Sequence, residues 1–225
     1  MQDQQADLDW RDGVIPVSLR FDDPYFSLEN GLEETRHVFL SGNQLPARFV
    51  DGFQIAELGF GTGLGFLTAV QSWMDAGSTG HLHFTSFEAF PMSPRDMERA
   101  LAAFPELRAL SAELVKLWAT NQRHIPFGDQ ITLEVIRGDA RETLPQWGGR
   151  ADAWFLDGFS PAKNPELWTP ELMQAVADHT RANGTVATYT AAGFVRRGLS
   201  EAGFEVSRIA GYGRKRHMTI GKRIT

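Results

Sequence analysis

The chain has 225 residues, enough for one α/β domain with a full hydrophobic core, and its 42% apolar and 22% charged residues are typical of a folded globular protein. It has no cysteine, which excludes disulfides, thiolate nucleophiles and cysteine-bound zinc, and its net charge of −6 alone disfavours a nucleic-acid partner. No apolar run approaches the roughly 20 residues that span a bilayer, and the acidic N-terminus resembles no targeting signal, so we expect a cytoplasmic protein without a membrane partner.

Residues 1–52 precede the first predicted core strand and are interrupted repeatedly by glycine and proline. We expect an irregular N-terminal extension that packs on a core at 53–225, the two forming one structural domain. Glu33, Glu34 and Arg36 are candidates for lining the entrance to a site, although solvated charge on a helix surface is the favoured interpretation.

Apolar runs that predict strands alternate with helical patterns along the rest of the chain. The predicted strands are 53–58, 82–88, 131–136, 151–156, 184–190, 204–209 and 217–222. Helix N-termini are predicted at Ser93-Pro94 and Thr169-Pro170, and the second helix is expected to stop at Asn183-Gly184. Strands that alternate with helices predict a parallel sheet covered on both faces.

The last two predicted strands break this alternation. Only residues 210–216 separate them, too few for a crossover helix, so we expect an antiparallel hairpin at the end of the sheet. A seven-stranded, mostly parallel sheet with a C-terminal antiparallel strand is the Rossmann-like fold of class I methyltransferases, and this α/β fold is our prediction.

The stretch IAELGFGTGLGFL, at 55–67, places an acid and alternating glycines between a strand and a helix. Such a turn lies at the carboxyl edge of an open α/β sheet, where ligands bind. The dinucleotide pattern G-x-G-x-x-G fails because Leu64 stands sixth from Gly59, and no lysine completes a Walker loop. An acid ahead of alternating glycines suits S-adenosyl-L-methionine, whose ammonium Glu57 would neutralise. The residues expected in this cradle are Glu57, Gly59, Gly61, Thr62 and Gly63.

Two further acids follow the next two strands. Glu88 ends the second strand, where a carboxylate can accept the ribose hydroxyl groups of a cofactor. Asp139, followed by Ala140, comes after the third strand, where it can meet the adenine amino group. An acid after a strand is also a common helix cap, but three successive strands that end in acids favour a cofactor site.

Four stretches closely resemble one family. They are FDDPYFSLENGLEETRHVFLSGNQLPARF (21–49), ELGFGTGLGF (57–66), WFLDGFSPAKNPELW (154–168) and GFVRRGLSEAGFEVSRIAGYGRKRHMTIG (193–221). The chain resembles the methyltransferase domain of the MnmC family of tRNA wobble-uridine enzymes, which is also found alone as MnmD. This resemblance implies N-methylation of 5-aminomethyl-2-thiouridine in the tRNA anticodon loop, with S-adenosyl-L-methionine as methyl donor. It also implies an FAD-dependent oxidoreductase domain as a possible covalent partner. Nothing here matches that domain, so a stand-alone enzyme and part of a bifunctional protein both stay open.

Asp157 emerges from the fourth strand and is the candidate for orienting the substrate amine and accepting its proton, with a loop-anchoring turn as the alternative. Tyr25, Phe26, Phe159 and Trp168 could stack on a splayed base, and Lys163 and Asn164 belong to the same loop as Phe159. The candidate phosphate contacts are Arg196, Arg197, Arg214, Lys215 and Arg216. His81 and His83 lack a third ligand, so we predict no metal site.

The C-terminal basic cluster and the DGFSPAKNP loop together favour tRNA over the rival functions, although charge alone favours a solvated basic edge. Residues 186–225 hold 8 Lys/Arg and 2 Asp/Glu, so a basic C-terminal region stands beside an acidic body. A small-molecule or polyamine transferase, like spermidine synthase, is the nearest alternative because it shares the acidic glycine-rich cradle. An NAD-dependent oxidoreductase fails on glycine spacing, and an inactive RNA-binding module would leave the acids without a role.

Overall fold

A computed structural model of the protein describes residues 5–27 and 30–224. The strands are β1 (Leu8–Arg11), β2 (Ile15–Ser18), β3 (Asp23–Pro24), β4 (Phe53–Leu58), β5 (Leu82–Glu88), β6 (His124–Phe127), β7 (Ile131–Arg137), β8 (Ala151–Leu156), β9 (Thr180–Thr188), β10 (Phe204–Ala210) and β11 (His217–Arg223). The α-helices are α1 (Gly31–Thr35), α2 (Leu64–Asp75), α3 (Pro94–Leu101), α4 (Arg108–Trp118), α5 (Ala140–Thr143), α6 (Pro170–Asp178) and α7 (Gly193–Glu201). In this part of the chain, no helix is both long and apolar enough to cross a membrane.

The central sheet has the strand order β10-β11-β9-β8-β4-β5-β7-β6 over the described residues. The four strands β8, β4, β5 and β7 run parallel to one another, and β9 is parallel to β8. The last strand, β11, lies between β9 and β10 and is antiparallel to both, which confirms the predicted C-terminal hairpin. The sheet therefore has the mostly parallel α/β architecture expected from the sequence.

One edge strand was not predicted. Residues His124–Phe127 form β6, which pairs antiparallel with β7, so the sheet has eight described strands instead of seven. The signal in the sequence is weak because β6 is only 4 residues long and contains Pro126. Proline is tolerated here because β6 is an edge strand, where one side of the backbone has no strand partner.

The predicted end of the helix at Asn183-Gly184 is wrong. Helix α6 already ends at Asp178, and β9 starts at Thr180. The pairing of β8 with β9 shifts between Ala151 and Ala153, which marks a β-bulge. Asn183 has a positive φ of 63°, so the Asn-Gly pair that resembles a helix stop forms this irregularity in the strand.

The N-terminal extension is more ordered than expected. Strands β1, β2 and β3 form a separate antiparallel sheet, and α1 continues into a short π-helical turn at Arg36–Leu40. Phe39 in this turn stacks on Phe155 of β8, with ring centroids 5.1 Å apart. Asn43 is fully buried: its Nδ2 donates to Trp154 O, and its Oδ1 accepts from Thr185 Oγ1 at 2.6 Å. The extension is thus packed into the core.

The core lies on both faces of the sheet, as near-continuous apolar strands require. Neighbouring residues of one strand face opposite sides, so Phe155 packs with α2 to α4 and the extension, whereas Trp154 packs with α6 and α7. Both side chains are fully buried. The two apolar layers cover both faces of the sheet and leave its carboxyl edge free for a site.

Candidate functional site

A cavity of about 1330 Å³ opens at the carboxyl edge of the sheet. It is lined by residues that follow β4, β5, β7, β8 and β9, together with the N-terminal extension and the turn between β10 and β11. Of the predicted site residues, those that line it are Tyr25, Phe26, Gly59, Gly61, Thr62, Glu88, Asp139, Ala140, Asp157, Phe159, Asn164, Arg214 and Lys215. The fold therefore brings most of the sequence-predicted residues together.

The glycine turn after β4 lies directly against the end of β8. Gly59 has φ +87°, and a Cβ there would lie 2.2 Å from Asp157 O, which no side chain tolerates. Its N–H donates to Phe87 O at 2.9 Å, which ties the turn to β5 as well. Gly63, at the N-cap of α2, packs towards the core and is not part of the described lining.

Glu57 lies beneath this turn, outside the described lining. Its side chain is 1% exposed, and Ser86 Oγ donates to its Oε2 at 2.7 Å. A Cβ on Gly65 would lie 2.3 Å from Glu57 Oε1, so the start of α2 rests on the carboxyl group. Burial, and secondarily the charge of Asp157, raise the pKa of Glu57 well above its usual value. A charged ligand in the cavity would therefore be separated from Glu57 by the backbone of the turn and would interact with it electrostatically.

Glu88 ends β5 and lines the cavity. Its Oε2 accepts from Gly61 N at 2.9 Å and its Oε1 from Phe90 N at 2.7 Å. Burial raises its pKa, and these backbone hydrogen bonds counteract part of that effect. The carboxyl group is thereby fixed in position, and each oxygen retains a second lone pair for a ligand hydroxyl group.

Asp139 follows β7 and caps α5. Its carboxylate accepts from the backbone N–H of Arg141 at 2.9 Å and forms an ion pair with the Arg141 guanidinium at 2.5 Å. That side-chain hydrogen bond holds the pKa of Asp139 below its usual value. Asp139, Ala140 and Arg141 all line the cavity, so the acid contributes to the site as part of an ion pair.

Asp157 follows β8 and is half-buried at the cavity wall. Removal from water raises the pKa of its carboxyl group to about 7; the charge of Lys215 opposes this rise and the charge of Glu34 adds to it. A carboxyl group with a pKa near neutrality can both accept and release a proton under physiological conditions. This property fits the proton-accepting role predicted from the sequence.

A cation lies at the mouth of the cavity. Lys215 Nζ is 2.7 Å from Glu34 Oε1 and 4.2 Å from the centre of the Tyr189 ring. Glu34 belongs to α1, Tyr189 follows β9, and Lys215 belongs to the turn between β10 and β11. The contact between Glu34 and Lys215 therefore joins the N-terminal extension to the C-terminal hairpin across the cavity.

Aromatic rings form one wall of the cavity. Phe159 stacks on Phe21 at 4.8 Å and meets Tyr25 edge-on at 5.0 Å between ring centroids. Burial raises the pKa of Tyr25, so its hydroxyl group stays protonated. Trp168 has a different position from that expected: it is 2% exposed and its Nε1 donates to Phe159 O at 3.0 Å. Trp168 supports the loop, and its buried ring is not available to a base.

The loop after β8 is tied to the N-terminal extension. Ser160 N donates to Asp23 Oδ2 at 2.8 Å, and Lys163 Nζ donates to Asp22 O and lies 3.0 Å from Asp22 Oδ2. Lys163 is therefore bound to Asp22 and is not among the described residues that line the cavity, whereas Asn164 is. These contacts hold the aromatic wall in place.

The predicted phosphate contacts are divided between the cavity and the outer surface. Arg214 and Lys215 line the cavity. Arg196 is partly buried on α7, Arg197 is exposed there, and Arg216 is exposed beyond the hairpin turn; none of these three belongs to the described lining. They can meet only a ligand that extends outside the cavity, such as a large polyanion.

The sequence interpretation missed the cavity residue Tyr189 and gave second place to the cavity position of Glu34. Glu34 was a candidate for lining the entrance, with a solvated helix surface as the favoured interpretation; its side chain is only 12% exposed and lines the cavity. Tyr189 follows a strand just as Glu88, Asp139 and Asp157 do, so the strand-end rule could have found it. Glu34 had no comparable signal, because its position depends on how the extension folds.

The cavity fits S-adenosyl-L-methionine. The glycine turn after β4, Glu88 at the end of β5 and Asp139 after β7 follow three adjacent strands and line the cavity together, so the residues that would hold the cofactor are Gly59, Gly61, Thr62, Glu88 and Asp139. Glu57, Glu88 and Asp157 cluster around the turn with raised pKa values, and a ligand that carries a sulfonium and an ammonium would stabilise their ionised forms. In the described residues, no group of three or more His, Cys, Asp or Glu side chains could hold a metal ion.

Comparisons with known proteins agree with the predicted fold and cofactor. A family model described as S-adenosyl-L-methionine-dependent methyltransferase matches residues 105–224. The chain is 47% identical, over 97% of its length, to the tRNA 5-methylaminomethyl-2-thiouridine biosynthesis bifunctional protein MnmC of Aeromonas hydrophila, and 49% identical over 97% to that of Methylobacillus flagellatus. It spans about a third of the length of these relatives, 35% in each case.

A solved structure is similar over nearly the whole chain. MNMC2 from Aquifex aeolicus superimposes with a TM-score of 0.75 at 26% identity, covering 98% of this chain and 71% of that one. This similarity confirms the predicted fold, and the family model confirms the predicted cofactor. Fold, site chemistry and the matched model agree: the chain belongs to the family of S-adenosyl-L-methionine-dependent methyltransferases.

Proposed function

We propose that this protein methylates the primary amine of 5-aminomethyl-2-thiouridine at the wobble position of tRNA, in the cytoplasm. The substrate assignment is based on one observation: nearly half of the residues are identical to those of two tRNA 5-methylaminomethyl-2-thiouridine biosynthesis proteins along 97% of the chain. The site chemistry supports it, because an acid with a pKa of about 7 lies in a cavity with an aromatic wall.

The residues of the chain have three roles in this reaction. When bound, S-adenosyl-L-methionine supplies a methyl group on a positively charged sulfur. Phe159 and Tyr25 present ring surfaces against which an extruded pyrimidine can pack. Asp157 hydrogen-bonds the amine, orients its lone pair and accepts the proton that the nitrogen must lose before it reacts.

Basic residues outside the cavity would bind the anticodon stem-loop. Arg197 and Arg216 are exposed on α7 and beyond the hairpin turn, on the C-terminal region that carries the excess of positive charge. Phosphate contacts of this kind position an RNA without reading its sequence. The relatives are named as bifunctional proteins and are longer than this chain, which supports an FAD-dependent oxidoreductase domain as the covalent partner.

Methyl transfer to tRNA tests the proposal. Purified protein is incubated with labelled S-adenosyl-L-methionine and tRNA that carries the unmethylated aminomethyl group, with spermidine in a parallel reaction. We expect label in 5-methylaminomethyl-2-thiouridine after nucleoside analysis, none in spermidine, and a loss of about a hundredfold or more in rate with Asp157→Asn. Label in the polyamine alone would reject the tRNA assignment and support the polyamine transferase.

A further inference from the structure

The mouth of the cavity holds an internal primary ammonium group. The Lys215 ammonium lies 2.7 Å from Glu34 Oε1 and 4.2 Å from the centre of the Tyr189 ring. The Tyr189 hydroxyl donates to Gly158 O at 2.7 Å, which fixes the ring beside Asp157. A carboxylate and an aromatic face together form a binding site for a cation.

The two charged partners differ in their exposure. The Glu34 side chain is 12% exposed, whereas that of Lys215 is 48% exposed and extends from a turn. Lys215 can move into solvent at little cost, because its ammonium is readily hydrated and its stem is flexible. Glu34 would then be a carboxylate largely removed from water without a partner, which is costly unless another cation replaces Lys215.

The contact itself leaves an acceptor of Glu34 without an aligned donor. Although Lys215 Nζ is close to Glu34 Oε1, this oxygen is shielded from solvent and has no aligned hydrogen bond within residues 5–27 and 30–224. The interaction is thus an ion pair in which Oε1 accepts no aligned hydrogen bond. A second ammonium that took the place of Lys215 could both neutralise the carboxylate and donate to it.

We propose that Glu34 and the Tyr189 ring form the subsite for the amino group of the substrate, and that Lys215 occupies this subsite until the substrate displaces it. The inference rests on the proposed function and names the groups that recognise the amine. An aminomethyl group arrives mostly as an ammonium, the same chemical group as the end of a lysine side chain. Exchange of one ammonium for the other leaves the charge of the cavity unchanged.

This subsite lies where the proton has to be transferred. Glu34, Tyr189, Lys215 and Asp157 line one cavity, and the charges of Lys215 and Glu34 both act on Asp157. An amine held by Glu34 would therefore lie near the acid that accepts its proton. Selection of a primary amine and its activation would occur at neighbouring carboxylates.

The experiment measures RNA binding in the absence of the methyl donor. Dissociation constants are determined by fluorescence anisotropy for two anticodon stem-loops, which differ only in 5-aminomethyl-2-thiouridine or 2-thiouridine at the wobble position. The variants are Glu34→Gln and Lys215→Met, and the matched controls on exposed positions of α4 are Glu113→Gln and Lys116→Met. Circular dichroism and melting curves verify that each variant folds.

We expect Glu34→Gln to weaken binding of the amine-bearing RNA about tenfold, the usual effect of one charge-assisted hydrogen bond, and to leave the other RNA unchanged. Lys215→Met should bind the amine-bearing RNA at least as tightly as Lys116→Met does. Equal effects of Glu34→Gln on both RNAs, or no effect, would overturn the inference. The inference would also be overturned if Lys215→Met weakened the binding of both RNAs equally and reduced the salt dependence of binding by about one charge. Loss of a phosphate contact has these two effects.

The proposed function is tested separately in the same series. Wild-type protein that methylates the amine-bearing RNA but binds both RNAs equally would remove the amine subsite and leave the function standing. Wild-type protein that neither methylates nor discriminates would remove both.

Discussion

The pKa of Asp157 predicts how the reaction rate depends on pH. With a pKa of about 7, the carboxyl group is about one tenth ionised at pH 6 and about nine tenths ionised at pH 8. Only the ionised form accepts a proton, so the ionisation of Asp157 should raise kcat/KM at saturating methyl donor about tenfold over this interval and contribute no further rise above it. The sign follows from burial, which raises the pKa of an acid and delays its ionisation to higher pH.

The substrate amine titrates in the same direction, so the wild-type profile alone does not identify Asp157. An alkylamine has a pKa of about 10, hence its own increase continues well above neutrality. In Asp157→Asn the step near pH 7 should disappear while the rise towards alkaline pH remains. In Lys215→Met the midpoint should move upward, because the charge that lowers the pKa of Asp157 is lost while Glu34 still raises it.

The assay is initial-rate methylation of the amine-bearing stem-loop between pH 5.5 and 9 at constant ionic strength, with RNA binding measured at each pH. A step near pH 7 that persists in Asp157→Asn would refute the reasoning and assign the titration to another group. A midpoint that does not move in Lys215→Met would show that the two charges are not coupled.

Three further predictions concern the glycine turn and its acids. Gly65→Ala places a methyl group 2.3 Å from Glu57 Oε1, so thermal unfolding should show a loss of about 1–3 kcal/mol. Glu57→Gln replaces an acid whose folded-state pKa is raised with an amide that keeps the Ser86 contact. The wild-type acid destabilises the fold as pH rises past its unfolded pKa of about 4.3, whereas the amide does not titrate. Urea unfolding should therefore show that the gain in stability of Glu57→Gln over wild type is larger at pH 8 than at pH 5. Glu88→Ala leaves Gly61 N without its acceptor and removes the proposed ribose contact. Calorimetry should show that its affinity for S-adenosyl-L-methionine is reduced by about tenfold or more. An unchanged affinity would contradict the ribose contact.

Features that depend on short-range chemistry were predictable from the sequence. The glycine turn, the acids at Glu88 and Asp139 and the hairpin at the end of the sheet follow from strand ends, spacing and connection length. Asp157 was found in the same way. Each of these features is determined within about ten residues of the chain.

Features that depend on packing between distant segments were not predictable in this way. The Asn183-Gly184 pair is typical of a helix stop, and only its pairing with β8 turns it into a bulge. Tryptophan is a residue type that often stacks on bases, but the burial of Trp168 follows from the arrangement of the loop around Phe159. Glu34 reaches the cavity because the whole extension folds over the sheet, which no local pattern encodes.

The burial of Asn43 has a practical consequence for dividing this protein into parts. Its amide group joins the extension to β8 and β9, and Phe39 covers Phe155 from the same segment. A gene shortened to begin at β4 would encode a sheet that has lost the apolar side chains covering one of its faces. The hydrogen-bond partners of Asn43 on β8 and β9 would also be left unpaired. The first fifty residues should therefore accompany the sheet in any chimaera, fusion or expression trial.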